Sequence, residues 1–286
     1  SGDSHTMFLA SDGKVYCVGV NSNGQLGLGS YDAQSTPQEI TFYTNNSITI
    51  THIACGPNYT MFLASDGKVY GCGYNGNKEL GLGHGVNQPT IREITYFSYL
   101  SIKITQIACG TNHTIFLASD GKVYGCGYNA YGQLGLGHDS SQSTPQEITH
   151  LTNNIITITQ IACGEYHTIF LASDYKVYSC GRNNEGQLGR SITSGTPKTI
   201  PHEITDLTDK NITQIACGYN YTIFLASDGK VYGCGDNDHG QLGLADITIR
   251  YFPARILHFD NLYSTGITIT QIACGTNHTI FLASDG

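Results

Sequence analysis

The sequence predicts an all-β fold assembled from stacked copies of one small sheet. Three observations support this prediction. The string around Cys55 recurs at Cys109, Cys163, Cys217 and Cys274, so the repeats step by 54, 54, 54 and 57 residues. Each repeat contains short runs of β-forming residues separated by Gly and Asp, and one of these runs is apolar throughout. A unit of this size cannot bury its own apolar faces, so it must stack on copies of itself.

The third repeat shows the predicted strands most clearly. Residues 114–118 and the return run 123–126 flank an Asp-Gly turn, which predicts a tight hairpin. Two further extended pieces are expected around residues 145–149 and 158–162, which makes four strands per repeat. Because residues 115–118 are apolar at every position, both faces of that strand should be covered. Four short strands that are buried on both faces describe the blade of a β-propeller.

The common unit favours a single repeat array over residues 1–286. The repeats occupy residues 1–54, 55–108, 109–162, 163–216 and 217–273, with a partial copy at 274–286. The formal net charge is −8, and no repeat is basic enough to follow a nucleic-acid backbone. The apolar stretches are too short for a membrane-spanning helix, and the first residues lack a signal-peptide pattern. We therefore expect an intracellular protein, cytoplasmic or nuclear, that binds neither nucleic acid nor membranes.

The ten cysteines recur in two fixed sequence contexts, which favours buried apolar roles. With a two-residue turn at Asp66 and Gly67, Cys72 would face Met61 across the hairpin and not Cys55. A disulfide within the repeat is therefore not expected. No Cys-x-x-Cys spacing or recurring His pair points to zinc, and we predict no metal and no cofactor.

The residue types most often used in catalysis recur from repeat to repeat. His5, His113, His167 and His278 share one repeat position, which favours a buried hydrogen-bonding role. The recurring Asp residues lie in the hairpin turns, where a carboxylate caps its own backbone. Tyr175 takes the place of the turn Gly, so that turn must be strained or of another type. An enzyme needs one asymmetric polar cluster, and because the sequence shows none we predict a protein without enzymatic activity.

The repeat resembles that of the regulator of chromosome condensation family over the whole chain. In the third repeat the matching positions are Gly110, His113, Thr114, Leu117, Asp120, Gly121, Val123, Tyr124, Gly127, Asn129, Gly132, Gln133, Leu134, Gly135 and Gly137. One departure recurs where the family commonly has Trp, at Cys72, Cys126, Cys180 and Cys234. A small residue in place of Trp would leave a void, and we expect Tyr, Phe and Ile side chains to fill it.

The resemblance implies a propeller of seven blades, whereas the chain supplies five repeats. Residues 274–286 duplicate the phase of residues 1–13, so the chain overlaps its own start by one strand. We therefore expect a fragment of a longer, seven-bladed propeller. The alternatives are a native five-bladed ring with a spare strand, or an open arc that self-associates through exposed blade edges.

Function is expected where the repeats differ from one another. The stretch after Gly-Gln-Leu-Gly varies most, and it carries the Arg and aromatic residues typical of protein interfaces. The candidate partner-binding residues are Arg92, Tyr96, Arg190, Lys198, Arg250, Tyr251, Phe252 and Arg255. The alternative is that these aromatic residues fill gaps between blades. We predict a non-enzymatic propeller that binds another protein through loops on one face.

The resemblance implies two other functions. One is guanine nucleotide exchange on a Ran-type small GTPase, which in the founding member depends on a wedge inserted into one blade. Four repeats here have no insertion and the fifth has three extra residues, so no exchange residue carries over to this chain. The other is inhibition of an enzyme by a propeller that covers its active site.

Overall fold

The computed structural model describes residues 1–190, 198–260 and 265–286. Within these residues, short antiparallel strands form six sheets, and strands that follow each other in the chain are neighbours in each sheet. Short β-forming runs joined by tight turns find their nearest pairing partner in the next run. The prediction of an all-β fold with four-stranded propeller blades is confirmed.

The sheets follow one another along the chain. The first sheet contains β1 (His5–Leu9), β2 (Val15–Gly19) and β3 (Gln34–Glu39). The second sheet contains β4 (Ile50–Cys55), β5 (Tyr59–Ala64), β6 (Val69–Gly73) and β7 (Gln88–Glu93). The third sheet contains β8 (Ile104–Cys109), β9 (His113–Ala118), β10 (Val123–Gly127) and β11 (Gln142–Glu147).

The remaining described strands repeat the same order. The fourth sheet contains β12 (Ile158–Cys163), β13 (His167–Ala172), β14 (Val177–Gly181) and β15 (Lys198–Glu203). The fifth sheet contains β16 (Ile212–Cys217), β17 (Tyr221–Ala226), β18 (Val231–Gly235) and β19 (Arg250–Arg255). The sixth sheet contains β20 (Ile269–Cys274) and β21 (Thr279–Ala283).

One strand joins a different sheet from the one expected. The extended piece at residues 158–162 becomes β12, which pairs with β13 and not with the strands of the third repeat. β8 pairs with β9 in the same way. The cause is a short helix between the sheets, which the sequence analysis did not predict. These helices are α1 (Thr41–Asn45), α2 (Thr95–Tyr99) and α3 (Thr149–Asn153), and 3-10 turns at Thr205–Leu207 and Leu257–Phe259 occupy the same place later in the chain.

The Asp-Gly hairpin turn is present, but it is one residue longer than expected. The N–H of Ala64 donates to the Lys68 carbonyl at 2.9 Å, and Gly67 has a φ of +86°. A three-residue turn with Gly in the left-handed region explains both observations. The extra residue shifts the register by one, so Cys72 faces Thr60 and the expected pairing with Met61 is wrong. None of the ten cysteines, all of which the structure describes, forms a disulfide.

The core lies between neighbouring sheets. β5 and β9 are buried at all six positions, which confirms that both faces of the apolar run are covered. Phe97 of α2 packs its ring against that of Phe116, with the centroids 4.9 Å apart. Cys72 lies in a core with Phe62 and Ile91, so larger apolar side chains surround the small residue that stands in place of Trp. Burying an aromatic or aliphatic side chain of this kind contributes about 1.5–3 kcal/mol.

The glycine-rich loops of the first three repeats each attach to the edge strand of the next sheet. The N–H of Gly29 donates to the Pro89 carbonyl at 2.8 Å, beside a β-bridge between Leu28 and Thr90. Gly24 has a φ of +83°, and a Cβ atom there would lie 2.4 Å from the Cα of Pro89. A side chain at Gly24 would therefore displace the strand. The same bond recurs from Gly83 to Ser143 and from Gly137 to Thr199.

The chain divides into two compact units. The first comprises residues 1–128 and 140–148, and the second comprises residues 129–139 and 149–286. The assignment of residues 1–286 to a single repeat array stays a prediction. Among the described residues, no helix is long and apolar enough to cross a membrane.

Candidate protein-binding surface

Each four-stranded sheet has two different ends. In the fourth sheet, the connections from β12 to β13 and from β14 to β15 leave at one end, which we name the loop end. The tight turn between β13 and β14 leaves at the opposite end, which we name the turn end. This division follows from the antiparallel order of the strands. The loop end therefore collects the segments that differ most among the repeats.

The recurring Asn residues at the loop end are used to hold the loops. The Oδ1 atom of Asn129 accepts the N–H of Leu134 at 2.9 Å, and its Nδ2 atom donates to the His138 carbonyl at 2.8 Å. These side chains satisfy backbone groups that would otherwise be unpaired, which explains their recurrence. The bond to the Leu N–H recurs at Asn21, Asn75, Asn183 and Asn237.

The recurring His position joins neighbouring sheets, which confirms its structural role. His5 Nε2 and the Thr60 hydroxyl share a buried hydrogen bond of 2.9 Å, and His167 bonds Thr222 in the same way at 3.1 Å. Burial lowers the pKa of His5 to about 4 and that of His113 to about 3. Because desolvation disfavours the charged form, these imidazoles are neutral at physiological pH. They therefore act as packing and hydrogen-bonding groups.

The recurring Asp position is also structural. The Oδ1 atom of Asp66 accepts the N–H of Lys68 at 3.0 Å, so the carboxylate caps its own turn. Asp174 caps the turn that contains Tyr175. Tyr175 has a φ of +68°, so the turn keeps its type and the strain falls on that residue. The capping bond recurs at Asp12, Asp120 and Asp228.

One charged cluster at the loop end of the fourth sheet is specific to that repeat. Arg182 follows β14, and its guanidinium lies 3.4 Å from an oxygen of Glu165 and 3.9 Å from an oxygen of Glu185. Glu165 follows β12, and its side chain is 8% exposed, whereas that of Arg182 is 22% exposed. A mostly buried carboxylate needs a partner of opposite charge, and Arg182 supplies it. We name Arg182, Glu165 and Glu185 the Arg182 cluster.

Two tyrosine rings extend the Arg182 cluster. The guanidinium carbon of Arg182 lies 5.8 Å from the centre of the Tyr131 ring, and the Tyr131 and Tyr166 rings are 5.0 Å apart. Cation–π contact of this kind contributes about 0.5–1 kcal/mol at an exposed site. Both rings are half-buried, so they are held in place while one side faces solvent. Arg and Tyr in this arrangement are the residues that dominate binding energy at protein interfaces.

The Arg182 cluster was not predicted from the sequence. The expectation that no unique polar cluster exists is wrong, because no other repeat combines an acidic residue at the Glu165 position with a basic residue at the Arg182 position. Glu165 stands where other repeats have Asp3, Pro57, Thr111, Tyr219 or Thr276, and Arg182 stands where they have Val20, Tyr74, Tyr128 or Asp236. The signal was available from comparing the repeats position by position in the short loop after each anchor cysteine.

Two of the residues predicted from the sequence lie in the first compact unit. Arg92 lies on β7, and its Nε atom donates to the Gln88 side chain at 3.2 Å. Tyr96 lies on α2, with its ring 6.4 Å from that of Tyr124. Tyr96 is half-buried against the core of the first unit. This placement agrees with the alternative that the aromatic residues fill gaps between blades.

The other six predicted residues lie in the second compact unit. Lys198 and Arg250 begin β15 and β19 at the loop end, whereas Arg255 ends β19 at the turn end. Arg250 pairs with Asp246 and Arg255 with Asp260. Tyr251 and Phe252 are 51% and 48% exposed.

Arg190 does not share the ion pairing of Arg250 and Arg255, because its guanidinium bonds to Ser179. The variable stretch from Arg190 to His202 includes residues 191–197, which lie outside the described residues. The binding role of all eight predicted residues stays a prediction.

The chain matches the family model described as RCC1-like domain over residues 1–281. The chain belongs to the RCC1-like domain family. The ultraviolet-B receptor UVR8 of Arabidopsis thaliana is 33% identical over 252 residues, and the human X-linked retinitis pigmentosa GTPase regulator is 32% identical over 334 residues.

Solved structures show the same fold. Human WBSCR16 superposes with a TM-score of 0.84 at 24% identity, covering 99% of this chain and 70% of that one. Yeast RCC1 (Prp20), solved bound to Kap60, superposes with a TM-score of 0.83 at 25% identity, covering 100% and 67%. These likenesses confirm the RCC1-type propeller fold.

The RCC1-like chain spans only part of its curated relatives. It covers 56% of UVR8 and 32% of the human GTPase regulator, while 88% and 99% of its own length is matched. The relatives carry different names, those of a light receptor and of a GTPase regulator. Membership of the RCC1-like family therefore establishes the fold without assigning one activity.

Proposed function

We propose that this RCC1-like chain is a non-enzymatic protein-binding module that holds its partner at the loop end of the fourth sheet. The Arg182 cluster with Tyr131 and Tyr166 is the observation that supports this proposal. The recurring Asn, His and Asp residues are occupied by the fold, so they offer no specificity. A repeat-specific group of Arg, Tyr and carboxylates on a rigid frame offers both specificity and binding energy.

The surface around the Arg182 cluster suits a protein better than a nucleic acid. The guanidinium is matched by two carboxylates, so the cluster has no excess positive charge to attract phosphodiesters. The surface continues to the fifth sheet, because the N–H of Glu165 donates to the Tyr219 carbonyl at 2.9 Å. Tyr219 is 39% exposed and adds a third aromatic side chain. Rigid aromatic side chains lose little conformational entropy on binding.

Affinity capture from cell lysate with matched variants tests this proposal. Arg182→Ala and Tyr166→Ala each remove one contact group at the loop end. Lys176→Ala is the control, because Lys176 lies in the turn at the opposite end of the same sheet. We expect at least one captured protein to be reduced about tenfold by both loop-end variants and unchanged by the control, the size of a hot-spot loss. An identical set of captured proteins for all variants would contradict the proposal.

A small GTPase is the second candidate partner. The likeness to yeast RCC1 and to a protein named as a GTPase regulator favours this candidate. If the chain accelerates nucleotide release, fluorescent GDP should leave Ran faster in the presence of micromolar protein, and Arg182→Ala should reduce the effect. No acceleration would remove exchange activity while leaving protein binding in place. Inhibition of an enzyme stays a prediction from the sequence resemblance.

A further inference from the structure

Two departures from the repeat occur together in the fourth sheet and contact each other. Arg190 takes the position of Leu28, Leu82, Leu136 and Leu244, and Ser179 takes that of Gly71, Gly125 and Gly233. The Nε atom of Arg190 donates to the Ser179 hydroxyl at 2.9 Å, and a terminal nitrogen donates to the Ser179 carbonyl at 2.8 Å. The hydroxyl in turn donates to the Leu188 carbonyl at 2.9 Å. Ser179 therefore fixes one edge of the guanidinium.

Three further basic side chains lie near this guanidinium. His202 of β15 pairs in register with Ser179. Its ring centre lies 6.2 Å from that of His150 on α3. Burial lowers the pKa of His202, and the nearby charges of Arg190, His150 and Lys198 lower it further. The side chains that lower the pKa of His202 in this way are all basic. We name Arg190, His150, His202 and Lys198 the basic cluster.

Carboxylates do not neutralise the basic cluster within the part of the chain that the structure describes. Arg190 and Lys198 form no ion pair there, and Glu203, the next residue after His202, is paired with Lys176 at 3.6 Å. Arg250 and Arg255, by contrast, each have an Asp partner. A half-buried guanidinium without a counter-charge is unfavourable. In a chain of net charge −8, such a concentration of positive charge indicates a site for an anion.

The geometry favours a phosphate monoester over a carboxylate. A guanidinium fixed along one edge presents its other N–H groups in a plane, which suits two oxygens of one anion. A phosphate monoester carries a charge of about −1.5 to −2 and three acceptor oxygens at neutral pH. Those oxygens match the separate donors of Arg190, Lys198 and the two imidazoles. A single carboxylate offers one charge and two oxygens, so it would leave part of the cluster unmatched.

We propose that the basic cluster binds a phosphorylated serine or threonine on a segment of a protein partner. This inference rests on the proposed function, because the phosphate is carried by the protein that the propeller binds. The site adds chemical specificity: the partner is recognised in its phosphorylated form. Phosphorylation would then switch the interaction on through new charge-assisted hydrogen bonds.

Histidine titration by NMR tests the site directly. The probes are N-acetyl-O-phosphoserine methylamide and, as the control, N-acetyl-aspartate methylamide. We expect the phosphoserine probe to move the Cε1–H resonances of His150 and His202 and to raise the pH midpoint of His202 by about 0.5–1 unit, because an adjacent anion favours the charged imidazole. The aspartate probe should shift them much less. Equal responses to both probes would overturn the assignment to phosphate.

The repeat itself supplies the variant for this test. Ser179→Gly combined with Arg190→Leu installs the residues found in the third and fifth repeats, at Gly125 with Leu136 and at Gly233 with Leu244. We expect at least about tenfold weaker binding of the phosphoserine probe, the loss of one charge-assisted bidentate contact. Lys198→Gln provides a second variant that keeps the Arg190–Ser179 pair and should weaken binding severalfold. Lys230→Ala, in the hairpin turn of the fifth sheet, should leave binding unchanged, and undiminished binding by the double variant would overturn the proposal.

Two further results separate this inference from its alternatives. Binding to vesicles that contain phosphatidic acid, without a response to the phosphoserine probe, would assign the basic cluster to membranes and overturn the inference. A partner lost with Arg182→Ala, but retained by the double variant and after phosphatase treatment, would leave the proposed function standing and remove the phosphate site. Loss of that partner after phosphatase treatment, and with the double variant, supports the inference.

Discussion

The glycine-rich loops of the second and third repeats have the same backbone but different chemistry. In each loop an Asn Oδ1 atom accepts a Leu N–H, at 3.0 Å for Asn75 and 2.9 Å for Asn129. In each, a Thr hydroxyl of the following sheet donates to a loop carbonyl at 2.7 Å, that of Glu79 or of Gln133. The shared backbone hydrogen bonds therefore fix the loop irrespective of the side chains at its centre.

The two loops differ at adjacent positions. The second repeat has Lys78 and Glu79 where the third has Gly132 and Gln133. Lys78 has a φ of +71°, close to the +75° of Gly132. Glu79 and Gln133 are both fully buried, and each has a second terminal atom without a described partner, an oxygen in Glu79 and an amide nitrogen in Gln133, so the two residues differ in the charge that Glu79 can carry. The comparison shows that the repeat tolerates a strained Lys and a buried carboxylate, each at a cost in stability.

Among substitutions in these two loops, Glu79→Gln should change the free energy of unfolding most. Burial raises the pKa of Glu79 to about 8, so the folded protein holds a proton that the unfolded chain releases above about pH 4.5. Wild-type stability therefore falls between pH 4.5 and 8, and the loss persists above pH 8. We expect Glu79→Gln to raise the free energy of unfolding by about 2–4 kcal/mol at pH 8.5 and by little at pH 4.5. Urea unfolding at the two pH values measures the difference.

Gln133→Glu is the reciprocal control in the third repeat. It should introduce the same pH dependence, with a stability that falls as pH rises from 4.5 to 8. If Glu79→Gln changed stability equally at both pH values, the buried charge would not be the cause, and the effect would have to come from packing.

Lys78→Gly should have a smaller effect, because it removes backbone strain alone. A non-Gly residue in the left-handed region costs about 1 kcal/mol, so we expect a gain of that size in urea unfolding. Gly132→Ala should lower the free energy of unfolding by more than Lys78→Gly raises it. The reason is that the new Cβ atom would lie 2.6 Å from the Cα of Thr199. Displacing that strand should raise the loss to about 2–3 kcal/mol. If the two substitutions changed the free energy of unfolding by equal and opposite amounts, crowding against the strand would contribute nothing to the loss in Gly132→Ala.

The local sequence predicted strands and turns better than it predicted their partners. The apolar run at residues 115–118 predicted a strand covered on both faces, because its pattern is a property of the run itself. The pairing of β12 with β13 was missed, since a five-residue helix such as α3 is too short to leave a periodic signal. The register at Cys72 depended on a turn that is one residue longer than assumed.

The candidate sites were harder to predict because they depend on contacts between separate loops. Tyr131 and Arg182 belong to different repeats and meet only when one repeat's loop packs on the next sheet. Arg190 was singled out from its sequence position, but its bond to Ser179 joins residues on opposite sides of the glycine-rich loop. No periodicity in the sequence predicts such contacts, whereas departures from the repeat mark the residues that make them.

Tyr175→Gly replaces a residue in the left-handed region of a hairpin turn and should have the smallest effect. Tyr175 has the left-handed φ of the turn glycines, and its N–H keeps the turn bond to Ala172 at 3.0 Å. Tyr175 is 50% exposed, and among the equivalent glycines a Cβ atom would meet nothing within 4 Å at Gly13 but would lie 2.9 Å from a side chain of the next sheet at Gly67 and Gly229. Removing strain here should contribute about 0.5–1 kcal/mol and raise the melting temperature by about 1–4 °C. Tyr175→Ala keeps the Cβ atom and should show no gain. A lower melting temperature for Tyr175→Gly, or an equal rise for Tyr175→Ala, would show that the tyrosine ring stabilises the turn more than its backbone strains it.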